Sequence, residues 1–129
     1  MILSDLRLPG PPHRVLVALA RATCPDELDR LGIAVVTERA LAHVTSGTVG
    51  VHVSFDLDVC DPSIAPGVGT PVKGGLDYRE AHMVMEMVAD SGLLTSLDLV
   101  EVNPVLDMQN QTASLGAELA LSALGMKIL

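Results

Sequence analysis

Two aspartates separated by a single residue, Asp56 and Asp58, lie in the segment His52-Val53-Ser54-Phe55-Asp56-Leu57-Asp58-Val59-Cys60-Asp61-Pro62. Paired carboxylates suit a hard divalent cation, which takes oxygen ligands and whose charge offsets the repulsion between the acids. Glu101, just before Val102-Asn103-Pro104, is a third acid of interest. It reads either as a solvated surface acid or as an acceptor for a cationic group in a cleft, because a carboxylate at a strand end is costly to bury without a partner. Cys60 adjoins the acids, but no His stands beside it in sequence, and a buried thiol is the simpler reading. His52 shares the strand face of Asp56 but sits four residues back, roughly 13 Å along an extended chain. That is too far to bind the same ion.

These side chains need elements to aim them. Apolar residues alternate with His52, Ser54, Asp56 and Asp58, a period of two that predicts a strand. On a strand, Asp56 and Asp58 leave one face roughly 6.5–7 Å apart. Asp61-Pro62 then turns the chain away, and Pro62 to Gly75 holds three prolines and four glycines. Such a stretch is neither helix nor central strand, so it is a long, shaped loop leaving directly from the acids. Asp77 with Glu80 three residues on predicts a capping box for a helix over Tyr78 to Ala89, with Ala81, Val84, Met85 and Val88 facing inward. Met83, Met85 and Met87 read as core filling. Leu97 to Val102 is a second strand, whose apolar make-up suggests a sheet covered on both faces. Thr112 to Leu124 is a final helix with Leu115, Leu119 and Ala123 on one side. Upstream, His13 to Thr23 has helical composition with apolar residues nearly all round. Pro25-Asp26-Glu27 looks like a helix start, Leu28 to Leu31 a short turn, and Ala34 to Val44 an amphipathic helix. Met1 to Pro12 is punctuated by Pro and Gly and reads as irregular. Strand, loop, helix, strand, helix is the pattern of a parallel α/β sheet, whose right-handed crossovers bring Asp56, Asp58 and Glu101 to one edge.

Composition narrows the class. The 129 residues are one domain's worth, 49% are hydrophobic, and the net charge is −8. That charge is the wrong sign for a phosphate-backbone binder, and one Tyr, one Phe and no Trp offer no stacking platform, so nucleic acid is not an expected partner. The apolar run Val15 to Ala20 is too short to span a membrane, and no targeting signal is evident. Cys24 and Cys60 make no disulfide framework, which points to the cytoplasm.

Ser54-Phe55-Asp56-Leu57-Asp58, followed by Pro62, Pro66-Gly67 and Gly75, resembles the ureohydrolase signature of arginases and agmatinases in residue type and spacing. Gly69-Thr70-Pro71, Gly74-Gly75, Tyr78-Arg79-Glu80 and Glu101-Val102-Asn103-Pro104 look specifically like arginase, and Asn110 with Thr112 resembles the bacterial arginases. The likeness runs over residues 26–129, which reads as the C-terminal part of an arginase-like α/β/α domain, and leaves residues 1–25 unassigned. It implies hydrolysis of L-arginine, or a similar guanidinium compound, to L-ornithine and urea with two manganese ions. It further implies that Asp56 and Asp58 are metal ligands, that Glu101 and Thr70 bind substrate, and that full-length relatives are homo-oligomers. The family's other metal ligands, in Gly-Gly-Asp-His and Asp-Ala-His-x-Asp segments, have no counterpart here. Val59-Cys60 stands where arginases have Gly-Leu, and Lys73 replaces an apolar residue. The expectation is a fragment inactive alone; the alternatives are a non-catalytic metal- or partner-binding remnant and an agmatinase-type enzyme.

Overall fold

A computed structural model describes residues 14–17 and 25–128. The elements run β1 (Arg14–Val17), α1 (Pro25–Thr45), β2 (Val51–Asp56), a 3₁₀ turn (Leu57–Val59), α2 (Tyr78–Asp90), β3 (Leu94–Val100) and α3 (Gln111–Ala123). The three strands form a parallel sheet in the order β1-β2-β3, the α/β architecture that the element pattern predicts. Among the described residues no helix is long and apolar enough to cross a membrane.

The expected helix over His13 to Thr23 is corrected at its centre, where Arg14–Val17 is a strand paired with β2. A run apolar on every side has no periodicity to separate a buried helix from a strand of a parallel sheet. Its residues 18–23, like the irregular segment Met1 to Pro12, lie outside the described residues. The short turn and the amphipathic helix expected after Pro25 are one helix interrupted at Gly32, whose φ of 75° and ψ of 161° no helix tolerates. Ile33, Thr37, Leu41 and Val44 are its buried stripe. In α2 the capping box forms as read: the Glu80 amide donates to Asp77 Oδ1 at 2.8 Å, and the Asp77 amide donates to Glu80 Oε2 at 3.0 Å. Ala81, Val84, Met85 and Val88 are buried. β3 begins three residues before Leu97 and stops short of Val102, so Glu101 falls just past its end.

Val51, Val53 and Phe55 of β2 point into one face with Leu97 and Leu99 of β3, and helices α1, α2 and α3 close that face into a continuous aliphatic core. The opposite face presents His52, Ser54 and Asp56 beside Ser96, Asp98 and Val100, all partly or fully exposed. Cover on both faces is therefore found on one face only among the described residues. His52, Ser54 and Asp56 of β2 alternate onto that uncovered face.

Glycine shapes the loop after the 3₁₀ turn. A β-carbon at Gly75 would come within 2.4 Å of the Val59 carbonyl oxygen and 2.5 Å of Cys60 C, both backbone atoms that cannot swing aside. Gly75→Ala is expected to lower stability by about 1–3 kcal/mol, the scale of overpacking, measured by chemical denaturation. An unchanged midpoint would mean that the strap between Cys60 and Leu76 is not as close as described.

Candidate functional site

Asp56 closes β2, and its Oδ1 accepts a hydrogen bond from the Asp58 amide at 2.9 Å, capping the 3₁₀ turn. Asp58 is thus not on the strand, and the same-face spacing expected of a strand does not govern the pair. The turn positions Asp58 instead: Leu57 and Val59 continue the apolar alternation, which hides the change of backbone from a pattern reading. Asp58 Oδ2 accepts from the Thr70 hydroxyl. Asp58 Oδ1 is buried and has no hydrogen-bond partner, an arrangement that costs free energy unless something else satisfies it.

Glu101 adopts φ of 69°, left-handed for a residue with a side chain, and such strain, on the order of 1–3 kcal/mol, clusters at functional sites. A β-carbon at Gly69 would lie 3.5 Å from Glu101 Oε2, so Glu101 reaches the loop one residue from Thr70. In register, Asp56 faces Val100, the residue before Glu101. Asp56, Asp58, Thr70 and Glu101 are therefore brought to one rim at the carboxyl ends of two neighbouring parallel strands, where α/β sheets bind ligands. A hard divalent cation fits the donors there, two carboxylates of which one oxygen is buried and unsatisfied. The set is partial: among the described residues no group of three or more His, Cys, Asp or Glu is placed to hold a metal ion.

Asp61 and Asp107 set the loop; the sequence reading gave Asp61 only the turn it makes with Pro62, and Asp107 no role. Asp61 Oδ1 accepts from the Ser63 amide and Oδ2 from the Gly74 amide, both at 2.9 Å, clasping the two ends of the loop together. The sequence Asp61-Pro62-Ser63 is an Asx-turn signal that could have found the first bond; the second spans the loop and leaves no local trace. At the far side Gly67 donates to Thr112 Oγ1 at 2.7 Å, and its carbonyl accepts from the Asn103 amide. Asp107 accepts from the amides of Thr112 and Ala113 and so caps α3 in place of Asn110, which makes no side-chain cap.

The Ser63 and Gly74 bonds hold the Asp61 carboxyl down at about 2, with Ser63 the larger cause. A carboxylate depressed in the folded state stabilises above its ordinary value near 3.8 and loses that contribution as pH falls through about 2. The protection factors of the Ser63 and Gly74 amides are therefore expected to fall in that window, and Asp61→Asn to lower them at neutral pH. Equal protection in both proteins would exclude the clasp.

Cys60 is buried, and burial followed by the nearby Asp56 charge pushes its thiol up to about 12, so it is no nucleophile at neutral pH. His52 makes its contacts along the sheet, with Nδ1 2.7 Å from Ser96 Oγ and Nε2 3.4 Å from Asp98 Oδ2, away from the acid rim. His82 is wholly buried between α2 and α3, with Nδ1 2.8 Å from Ser122 Oγ.

The Arginase family model matches residues 17–125. An arginase from Brevibacillus brevis is 53% identical over 103 residues, covering 80% of this chain and 35% of that protein. The crystal structure of arginase from Bacillus subtilis superposes with a TM-score of 0.76 at 53% identity, covering 81% of this chain and 38% of the other. An Entamoeba histolytica arginase solved in complex with L-ornithine superposes with a TM-score of 0.70 at 28% identity. The chain spans about a third of the length of the first of these relatives. Its acid rim sits inside the matched region, on the same fold, at an identity well above what fold alone produces. The chain belongs to the arginase family.

Proposed function

We propose that this chain contributes the Asp56, Asp58 and Glu101 part of an arginase-type site, which hydrolyses the guanidinium of L-arginine to L-ornithine and urea in the cytoplasm. The observation that carries this reading is Asp58 Oδ1, buried without a partner beside Asp56 on the rim that Glu101 also reaches. An arginase solved with L-ornithine supports the substrate class.

In this reading Asp56 and Asp58 hold manganese, which supplies Lewis acidity and water activation when bound. Hydrolysis adds a water oxygen to the guanidinium carbon and breaks the bond to the side-chain nitrogen, which leaves as an amine carrying a proton. Glu101 accepts hydrogen bonds from the guanidinium, which stays protonated and presents a planar fork of donors to a carboxylate. Its left-handed backbone fixes the direction of that carboxylate, and Gly69 leaves space over it. Thr70 donates to Asp58 and leaves the other oxygen of that carboxylate for the metal. The proline-rich loop, clasped by Asp61, keeps Thr70 in place.

Two carboxylates alone bind divalent ions weakly, because affinity follows ligand charge and site rigidity. Calorimetric titration of the chain with Mn²⁺ is expected to give a Kd of roughly 10⁻⁴–10⁻³ M and no urea release from arginine. A Kd in the low micromolar range would contradict the partial site, and absence of any binding would contradict the metal-binding role.

A further inference from the structure

We propose that Thr112, in the first turn of α3, is a positioning residue for the rim: by holding the Gly67 amide it sets the gap between the Glu101 and Asp58 carboxylates. The gap itself follows from the hydrogen bonds; only its use, for a guanidinium held beside a cation, rests on the functional reading above.

The two acids are held from different sides. Asp58 is gripped from the loop by Thr70. Glu101 leaves β3 in a left-handed turn, so its direction depends on what fixes the residues after it. One loop residue does this. The Asn103 amide donates to the Gly67 carbonyl at 2.8 Å, and the Gly67 amide donates to Thr112 Oγ1 at 2.7 Å. Both peptide groups of Gly67 are thus committed, one to the segment after Glu101 and one to α3. Val68 beside it is buried in the core. The exposed Gly69 then lies against Glu101 Oε2, and Thr70 reaches Asp58. Gly67 is the point from which both acids are placed.

Thr112 suits that task because it cannot move. It is wholly buried, its branched β-carbon restricts its rotamers, and its amide donates to Asp107 Oδ1 at 3.0 Å. The Ala113 amide donates to Oδ2 of the same carboxylate at 3.1 Å, so shifting Thr112 would undo the cap of α3. A β-carbon at Gly67 would lie 2.6 Å from Asp107 Cα, which shows the loop backbone resting directly on the capping residue. Gln111 adds a second grip, its Nε2 donating to the Ser63 carbonyl at 2.9 Å. A residue that merely packed here would need only volume, and Val would supply it. A buried amide without an acceptor is costly, so the hydroxyl carries the role.

The test compares Thr112→Val, close in volume, with Thr112→Ser, which keeps the hydroxyl, after far-UV circular dichroism shows that both retain the fold. Hydrogen exchange is followed residue by residue by NMR. In the parent the Gly67 and Asn103 amides are expected to open together, with protection factors within about tenfold of each other. Thr112→Val is expected to lower both at least about tenfold, leaving the α2 amides within about twofold, and Thr112→Ser to restore them. With Mn²⁺ added, paramagnetic broadening reports the distance of each signal from the ion. The ratio of Glu101 to Asp58 side-chain broadening, which is insensitive to affinity, is expected to fall in Thr112→Val and to return in Thr112→Ser. If Thr112→Val strips protection from Gly67 but leaves Asn103 or the broadening ratio as in the parent, Thr112 only packs α3 and the proposal is overturned. Failure of Thr112→Ser to restore both readouts, or separate opening of the two amides in the parent, overturns it as well. Absence of any broadening at Asp58 in the parent would remove the metal reading instead, and a coupled loss at Gly67 and Asn103 would still uphold Thr112.

Discussion

Replacing Phe55 by Ala is expected to destabilise the chain by about 3–5 kcal/mol, the range for emptying an aromatic site in a core that cannot collapse around it. Phe55 is fully buried and is the one Phe of the sequence. It stands in β2 where the core of α2 and α3 meets the sheet, among Leu57, Val84, Met85, Leu115 and Leu119. Every one of those neighbours is aliphatic or thioether, and none is large enough to fill the volume of a phenyl ring without leaving its rotamer. A domain of this size holds roughly 5–15 kcal/mol in total, so the variant would keep little margin. Urea denaturation followed by circular dichroism measures it. A loss below about 1 kcal/mol would show that β2 is not the central packed strand, and the acid rim would lose its platform, because Asp56 follows Phe55 directly.

The Asp56–Asp58 end of the rim was legible in the sequence because its determinants are local, whereas Glu101 joins it only through the pairing of β2 with β3. Acids two residues apart, Asp61-Pro62 and a glycine- and proline-rich loop survive translation into structure whatever the surrounding fold does. The α2 capping box was legible for the same reason: Asp77 and Glu80 satisfy each other within one turn. The failures share a different cause. A strand and a 3₁₀ turn can both carry apolar residues at alternate positions, so the end of β2 at Asp56 leaves no mark before Asp58. The segment Arg14–Val17 is uniformly apolar after its first residue, and only its pairing with Val51 to Ser54 makes it a strand. His82 and Ser122 meet across 40 residues, and the clasp from Asp61 to Gly74 likewise depends on where the chain returns. The uncovered face was half legible, since β2 alternates polar and apolar while the second half of β3, Leu97-Asp98-Leu99-Val100, reads as largely apolar.

His82 shows how such a nonlocal contact titrates. It is buried with Nε2 unpartnered. Burial lowers its pKa most; Glu118 and Glu86 oppose that shift and Arg79 adds to it. A histidine depressed in the folded state stabilises above its ordinary value near 6.5, and that contribution is lost as pH falls below it. As pH falls below about 6.5, stability is expected to drop more steeply in the parent than in His82→Phe with Ser122→Ala. Parallel curves in chemical denaturation at a series of pH values would assign the acid loss to other groups.

Asp58→Asn is expected to move stability and metal binding in opposite directions. In the chain alone, Asp58 keeps one carboxylate oxygen buried without a partner, and Asp56 and Glu101 bring two more negative charges to the same rim. Neutralising Asp58 relieves the repulsion while the remaining amide oxygen still accepts from Thr70, so a gain of about 1 kcal/mol is expected, the scale of stabilising changes at functional sites. The same substitution removes the charge and the oxygen that a hard cation would take, and the manganese signal in calorimetry should fall about a hundredfold in affinity, beyond detection. Thr70→Val separates the two effects. It leaves the carboxylate charged but frees both oxygens, so it should destabilise the loop while preserving metal binding within about threefold. A structural acid would behave otherwise, since removing its charge would lower stability and leave any metal binding unaltered. If Asp58→Asn destabilises the chain and manganese still binds, then Asp58 is a loop anchor through Thr70 and not a ligand of the metal.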